Sequence, residues 1–85
     1  MTQVAREVLV FAQVEEARQE WHRADQAWSD AIQAKYPGRD AGELKAAGRG
    51  EDYPGGPLTR LADEANRLKD RFLNIQHAYR RQRGI

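Results

Sequence analysis

The chain has 85 residues, of which 40% are hydrophobic and 32% charged, and its formal net charge is +1. A chain this short forms one small domain, which is marginally stable unless disulfides, a metal or oligomerisation reinforce it. The absence of cysteine excludes disulfides, and a net charge so close to zero gives no overall attraction to nucleic acid or anionic membranes.

The first predicted element is a helix over about residues 2–35, a segment without Gly or Pro. Its apolar residues alternate spacings of four and three, the heptad pattern of a helix that packs along one seam. The seam residues are Val10, Val14, Ala17, Trp21, Ala24, Trp28 and Ala31, with Val4, Phe11 and Ile32 at the edge. Pro37 should end the helix, because proline disfavours helical geometry in the residue before it.

A connector of about residues 36–56 follows. Asp40 and Glu43 have the spacing of a capping box, which predicts a short helix over about 41–47. The tripeptide Tyr-Pro-Gly brackets this segment at 36–38 and 53–55. Because Pro then Gly suits the two central positions of a type II turn, we expect both copies to reverse the chain.

The last predicted element is a helix over about residues 57–82, with Pro57 at its first position and Gly84 available as a left-handed terminal residue. Its seam residues are Leu58, Leu61, Ala65, Leu68, Phe72, Ile75 and Tyr79. Two long helices with one apolar seam each predict an all-α fold, an antiparallel two-helix hairpin with a short helix in its connector.

Self-association is expected at the start of the first helix. The segment from Val8 to Phe11 is apolar around its whole circumference, and it overhangs the shorter second helix. A single hairpin cannot bury such a segment, so we predict a homo-oligomeric helical bundle, the alternative being an N-terminus that curls back or frays. The predicted interface residues are Val4, Val8, Leu9, Phe11, Trp21 and Trp28.

The sequence gives little support for a catalytic site or a metal site. Glu15, His22 and Ser29 share one helical face, but seven residues of helix span about 10.5 Å, far beyond the roughly 3 Å of a nucleophile–base hydrogen bond. His22 and Asp25 are three residues apart, yet neither histidine of the chain belongs to a Glu-x-x-His motif. We therefore predict that the protein is not an enzyme and binds no metal or cofactor.

The connector is the first candidate binding site. Guanidinium and ammonium groups beside tyrosine rings can hold a phosphate, a nucleotide or an acidic partner surface. The candidate residues are Tyr36, Arg39, Lys45, Arg49 and Tyr53. Acidic residues neutralise the same segment, so the alternative is that both tyrosines close the loop over the hairpin core while the basic residues are solvated.

The second candidate site is the basic end of the chain. Residues 1–35 carry four basic and six acidic side chains, whereas residues 58–85 carry seven basic and three acidic ones. Arg80, Arg81 and Arg83 cluster at this end, where they complement the helix dipole or contact the phosphates of nucleic acid. No recognised nucleic-acid-binding motif accompanies them.

The sequence thus favours a non-catalytic binding protein that occupies a partner surface or sequesters a ligand, with a protein or a small anion as its partner. Small helical hairpins without cysteine include phage-encoded inhibitors of host machinery, an analogy at the level of the fold. The alternative function is a nucleic-acid-associated regulatory protein that uses the C-terminal arginines. No apolar run approaches the roughly 20 residues of a membrane span, and no leader peptide is visible, so we expect a cytoplasmic protein with no membrane contact.

Overall fold

A computed structural model describes residues 9–84 of the chain. Three helices occupy this range, α1 (Phe11–Lys35), α2 (Ala41–Ala46) and α3 (Pro57–Gln82). Helices α1 and α3 pack along each other in opposite directions, and α2 packs against α1. Residues 9–84 contain no strand. The predicted all-α hairpin with a short connector helix is therefore confirmed.

Helix α1 begins later than the predicted residue 2. Leu9 is not helical, because the side-chain amide of Gln82 bonds both of its backbone groups. The Leu9 N–H donates to Gln82 Oε1 at 2.8 Å, and Gln82 Nε2 donates to the Leu9 carbonyl at 2.5 Å. Val10 has an extended backbone, and its N–H donates to Gln13 Oε1 at 2.9 Å. The remainder of the predicted helix start, residues 2–8, lies outside the described residues.

The connector follows its predicted turn chemistry. Gly38 and Gly55 have φ angles of 81° and 79°. In each turn the residue after glycine donates its N–H to the tyrosine carbonyl, at 3.2 Å in the first and 2.8 Å in the second, as a type II turn requires. Helix α2 is capped by Asp40, whose carboxylate accepts from the backbone N–H of Glu43 at 3.0 Å, and it ends at Ala46.

The hairpin core consists of two separate clusters. The connector cluster comprises Ile32, Ala41, Leu44 and Leu58, with Trp28, Ala31 and Tyr36 packed against it. The open-end cluster comprises Val14, Ala17 and Phe72, with Trp21, Leu73, Ile75 and Tyr79 packed against it. Within the open-end cluster Trp21 stacks on Phe72 with ring centroids 5.5 Å apart, which sets the register of α1 against α3.

Two of the most buried side chains are not on the predicted seams. Ile32 was assigned to the seam edge and Ala62 to neither seam, yet both have 0% exposed surface. Ile32 is buried because Leu44 and Ala41 of α2 join its cluster. The short helix therefore shifts the centre of burial toward the side of the hairpin that it covers.

Candidate functional site

A hydrogen bond from Trp28 attaches the connector to α1. The indole Nε1 donates to the carbonyl of Gly50 at 2.6 Å. Gly50 is buried, and a Cβ atom at this position would lie 2.7 Å from Cζ2 of the same indole. The loop can approach the ring this closely only because residue 50 has no side chain.

Lys45 joins α2 to α1. Its Nζ donates to Asp25 Oδ1 at 2.9 Å and to Ser29 Oγ at 2.8 Å, and it lies 4.3 Å from the centroid of the Trp28 ring system. Only 19% of the Lys45 side chain is exposed. The ammonium group predicted to contact a ligand is thus engaged within the chain, where it holds the short helix in place.

The close approach of Ser29 to Lys45 resembles the nucleophile–base pair of a serine–lysine dyad, which requires a neutral amine as proton acceptor. Here the nitrogen donates to a carboxylate as well as to the hydroxyl and lies over an indole, an arrangement that uses it as a cation. Ser29 therefore serves as a hydrogen-bond partner in a structural contact.

The helical face that carries Glu15 and His22 does not form a catalytic group with Ser29. Glu15 instead pairs with Arg18 at 2.6 Å, and the hydrogen bond from that guanidinium lowers the pKa of Glu15. The His22 ring packs edge-on against Trp21, with centroids 5.0 Å apart.

Asp52 organises the start of α3. The helix has Gly56 as its N-cap, which offers no side chain, and the half-buried Asp52 carboxylate supplies the missing acceptor. It accepts from the backbone N–H of Leu58 and of Thr59, both at 3.1 Å, and from the Thr59 hydroxyl at 2.8 Å. The N–H of Tyr53 donates to the same carboxylate at 2.9 Å.

These contacts set the ionisation of Asp52. Desolvation, the largest single effect, raises its pKa, but the hydrogen bonds from Leu58, Thr59 and Tyr53 together outweigh it and lower the pKa to about 2. The carboxylate is thus held in its charged form next to the positive end of the α3 dipole. Nothing in our sequence reasoning identified this residue, although an aspartate a few positions before a Gly-Pro helix start was a usable signal.

Three of the predicted connector residues remain available to a partner. Arg39, Arg49 and Tyr53 are exposed, Tyr53 to 63%, and we call them the connector surface. Within residues 9–84 their side chains make no hydrogen bond or ion pair. Tyr36, by contrast, is half-buried against the connector cluster and closes the end of the core.

The C-terminal arginines are exposed at the end of α3. The guanidinium of Arg83 lies 5.7 Å from the Tyr79 ring centroid. Arg80 and Arg81 occupy the last turn, where they complement the unpaired carbonyls of the helix end. The three side chains form no ion pair with any other residue of the described range.

A groove between α1 and α3 is a further feature that the sequence did not suggest. Its volume is about 410 Å³ and its lining residues are Glu20, Arg23, Glu64, Arg67, Leu68 and Arg71. An ion pair between Arg71 and Glu20 bridges the two helices. Its lining residues come from helices more than 40 positions apart in sequence, so their meeting depends on the register of the hairpin.

Electrostatics inside the groove are dominated by arginine. Arg67 pairs with Glu64 at 2.7 Å, and the hydrogen bond from this arginine lowers the pKa of Glu64. Arg23 forms no ion pair with a residue in the 9–84 range. Three guanidinium groups against two carboxylates leave the groove with one excess positive charge.

In residues 9–84 no group of three or more His, Asp or Glu side chains is arranged to hold a metal ion. None of the helices in that range is both long enough and apolar enough to cross a membrane. Comparisons with protein-family models, with curated proteins and with solved structures found no match. The described residues thus define an all-α helical hairpin.

Proposed function

We propose that the chain is a non-catalytic binding protein that uses the connector surface, Arg39, Arg49 and Tyr53, to occupy an acidic patch on a partner protein. The observation that supports it is the contrast between these three exposed side chains and the firmly held backbone next to two of them, Arg49 and Tyr53. Trp28 and Asp52 hold the loop from inside through the hydrogen bonds described above.

Such a loop suits recognition because little conformational entropy remains to be lost on binding. Arginine and tyrosine are also the residue types that most often dominate the energy of protein interfaces. Two guanidinium groups and a phenol ring on the same connector match a carboxylate-rich surface, and the same chemistry would hold a small anionic ligand. By covering a functional surface of its partner the protein would act as an inhibitor, and its lack of cysteine suits the cytoplasm.

The test compares two variants in affinity capture from the native host cell, with mass spectrometry of the captured proteins and extracted small molecules. One variant combines Arg39→Ala, Arg49→Ala and Tyr53→Ala. Its matched control, Lys35→Ala with Lys69→Ala, removes the same number of exposed positive charges from α1 and α3, outside the proposed binding surfaces. We expect the first variant to lose its partner at least tenfold and the control to retain it. Equal capture by both variants would contradict the proposal.

A second candidate function rests on the three exposed C-terminal arginines, which could contact the phosphates of nucleic acid. Here Arg80→Ala, Arg81→Ala and Arg83→Ala are preferable to deletion of the last residues, because Gln82 also holds Leu9. Gel-shift assays with a 20-base-pair duplex at low salt test this function. Retention by the wild type that disappears in the triple variant would support it, and unaltered retention would refute it.

Self-association belongs to the same proposal. Val10 and Phe11 are 52% and 59% exposed, and Leu61, Leu68 and Ile75 of α3 are only half-buried, so apolar surface remains uncovered in two places on the hairpin. Val4 and Val8, the other residues predicted there, lie outside the described residues. We propose that hairpins associate into a helical bundle, and light scattering should then give a mass well above the 9.7 kDa of one chain.

A further inference from the structure

The face of the hairpin opposite α2 carries a row of partly covered apolar side chains. The register set by Trp21 on Phe72 places Ala24 and Ala31 of α1 level with Leu68 and Leu61 of α3. All of these residues are half-buried, as is Ile75 one heptad beyond Leu68. We call this set, together with the groove residues that flank it, the open face: Ala24, Ala31, Leu61, Leu68 and Ile75, with Glu20, Arg23, Glu64, Arg67 and Arg71.

Helix α2 covers the other flank of the hairpin. Lys45 of α2 bonds Asp25 and Ser29 of α1. At 100° per residue, Asp25 lies about 140° around α1 from Glu20, and Ser29 lies about 140° around it from Ala24. In the range 9–84 no element therefore lies over the open face. Small alanines beside the leucine row leave room for side chains of an incoming helix to insert.

Charge distinguishes the two sides of the open face. Helix α1 has three basic and five acidic residues, whereas α3 has six basic and three acidic ones. On the open flank, Glu16 precedes Glu20 by one helical turn, and the opposite side carries Arg60, Arg67 and Arg71. Arg23 on α1 and Glu64 on α3 reduce this contrast, but the face remains net acidic along α1 and net basic along α3, which makes it complementary to itself.

We propose that the open face binds a second copy of this chain, with α1 of each protomer packed antiparallel against α3 of its partner. The inference rests on the proposed self-association and assigns its surface. A two-fold axis parallel to the helices produces this pairing and a closed four-helix bundle. A two-fold axis perpendicular to the helices would instead place α1 on α1 and α3 on α3, opposing like charges.

This arrangement differs from the interface expected from the sequence. Phe11 lies on the other flank of α1, nine residues from Glu20, and it packs near Tyr79 with ring centroids 6.3 Å apart. Trp21 and Trp28 are engaged within the hairpin, by Phe72 and Gly50 respectively. The proposed dimer interface is therefore the leucine row of the open face and the charged residues that border it.

The first part of the test measures mass by light scattering from 1 to about 100 µM chain for the wild type, Leu68→Glu and Phe11→Glu. We expect a dimer that Leu68→Glu weakens at least tenfold and that Phe11→Glu leaves intact. A dimer lost with Phe11→Glu but retained with Leu68→Glu would overturn the assigned face while leaving self-association in place. A wild type that stays monomeric would overturn both.

The second part is a charge exchange, which keeps the proposal testable if Leu68→Glu fails to fold. One variant carries Arg67→Glu and Arg71→Glu, and the other Glu16→Lys and Glu20→Lys. Each alone should be monomeric, because like charges then meet across the axis. Like charges also meet at positions 20 and 71 within each hairpin. An equimolar mixture changes only the contacts across the axis, and it should form the heterodimer. A chain with all four changes should dimerise again, and the far-face control Asp63→Lys with Asp70→Lys should leave the mass unchanged.

One result of the charge exchange and one result of a phosphate titration would overturn the proposal. One is a mixture that remains monomeric while the wild type dimerises, since the α1–α3 pairing predicts restoration. The other is a monomeric wild type that binds inorganic phosphate through its groove arginines in a calorimetric titration, since the groove would then be an anion site. Connector variants are not involved, so failure here is separate from failure of partner binding.

Discussion

Replacement of Gly50 by alanine tests how closely the connector is packed against α1. Gly50 does not have a positive φ angle, so the backbone accepts alanine without strain. The new Cβ would lie 2.7 Å from Cζ2 of Trp28 and 3.3 Å from Cγ of Lys45. We expect this crowding to lower the free energy of unfolding by about 1–3 kcal/mol, as overpacked cores do.

The size of the effect depends on a single partner, which makes the reasoning testable by a double-mutant cycle. Trp28→Phe removes the crowding atom, and it also leaves the Gly50 carbonyl without its donor, at a cost of about 1–3 kcal/mol. In this background Gly50→Ala should become neutral or stabilise by about 0.5 kcal/mol, because alanine restricts the unfolded chain. The coupling energy between the two changes should then be about 1–3.5 kcal/mol.

Urea titrations followed by circular dichroism at 222 nm measure all four members of the cycle. Gly48→Ala is the control: its φ angle is 77° and no atom lies within 4 Å of the added Cβ. Gly48→Ala should cost about 1–2 kcal/mol from backbone strain alone, and the cost should be the same in the wild type and in Trp28→Phe. Equal costs for Gly50→Ala in both backgrounds would refute the packing argument.

Three further predictions concern stability. Because the pKa of Asp52 is lowered to about 2, the stability of the wild type should fall as the pH drops from about 4 toward 2. Urea titrations should show a smaller loss of stability for Asp52→Asn over the same pH range. Parallel pH profiles of the two proteins would contradict this role of Asp52. Leu44→Ala, at a site 1% exposed, should cost about 2–5 kcal/mol in thermal or urea unfolding, and a cost below 1 kcal/mol would show that α2 is not part of the core. Ile32→Val and Phe72→Leu lie in different clusters, so their costs should add within about 0.5 kcal/mol in the double variant. A larger deviation would show that the two clusters are energetically coupled.

The helices were predictable because their signals are local. Heptad spacing, Pro37, the Asp40 cap and the two Tyr-Pro-Gly turns depend on neighbours within a few positions, and α2 and α3 match their predicted bounds to within one residue. The start of α1 was misplaced for the opposite reason. Gln82, distant in sequence, bonds the backbone of Leu9, and no local pattern contains that contact.

The candidate site was predictable only in part, for a similar reason. Lys45 is of a residue type that often contacts anionic ligands, but its ion pair with Asp25 depends on how α2 packs against α1. The groove depends on the register between helices, which composition does not specify. Arg39 and Arg49 are exposed, and no acidic side chain in the described range pairs with them, so their role in binding stays a prediction.

Each core cluster has one of the two tryptophans at its border, Trp28 at the connector and Trp21 toward the open end. The chain therefore contains a built-in fluorescent reporter for each half. Replacing either residue with phenylalanine leaves a single emitter whose spectrum reports its own end. Coincident melting curves from the two emitters would indicate one cooperative unit, and separate curves would show that the half without a covering helix opens first.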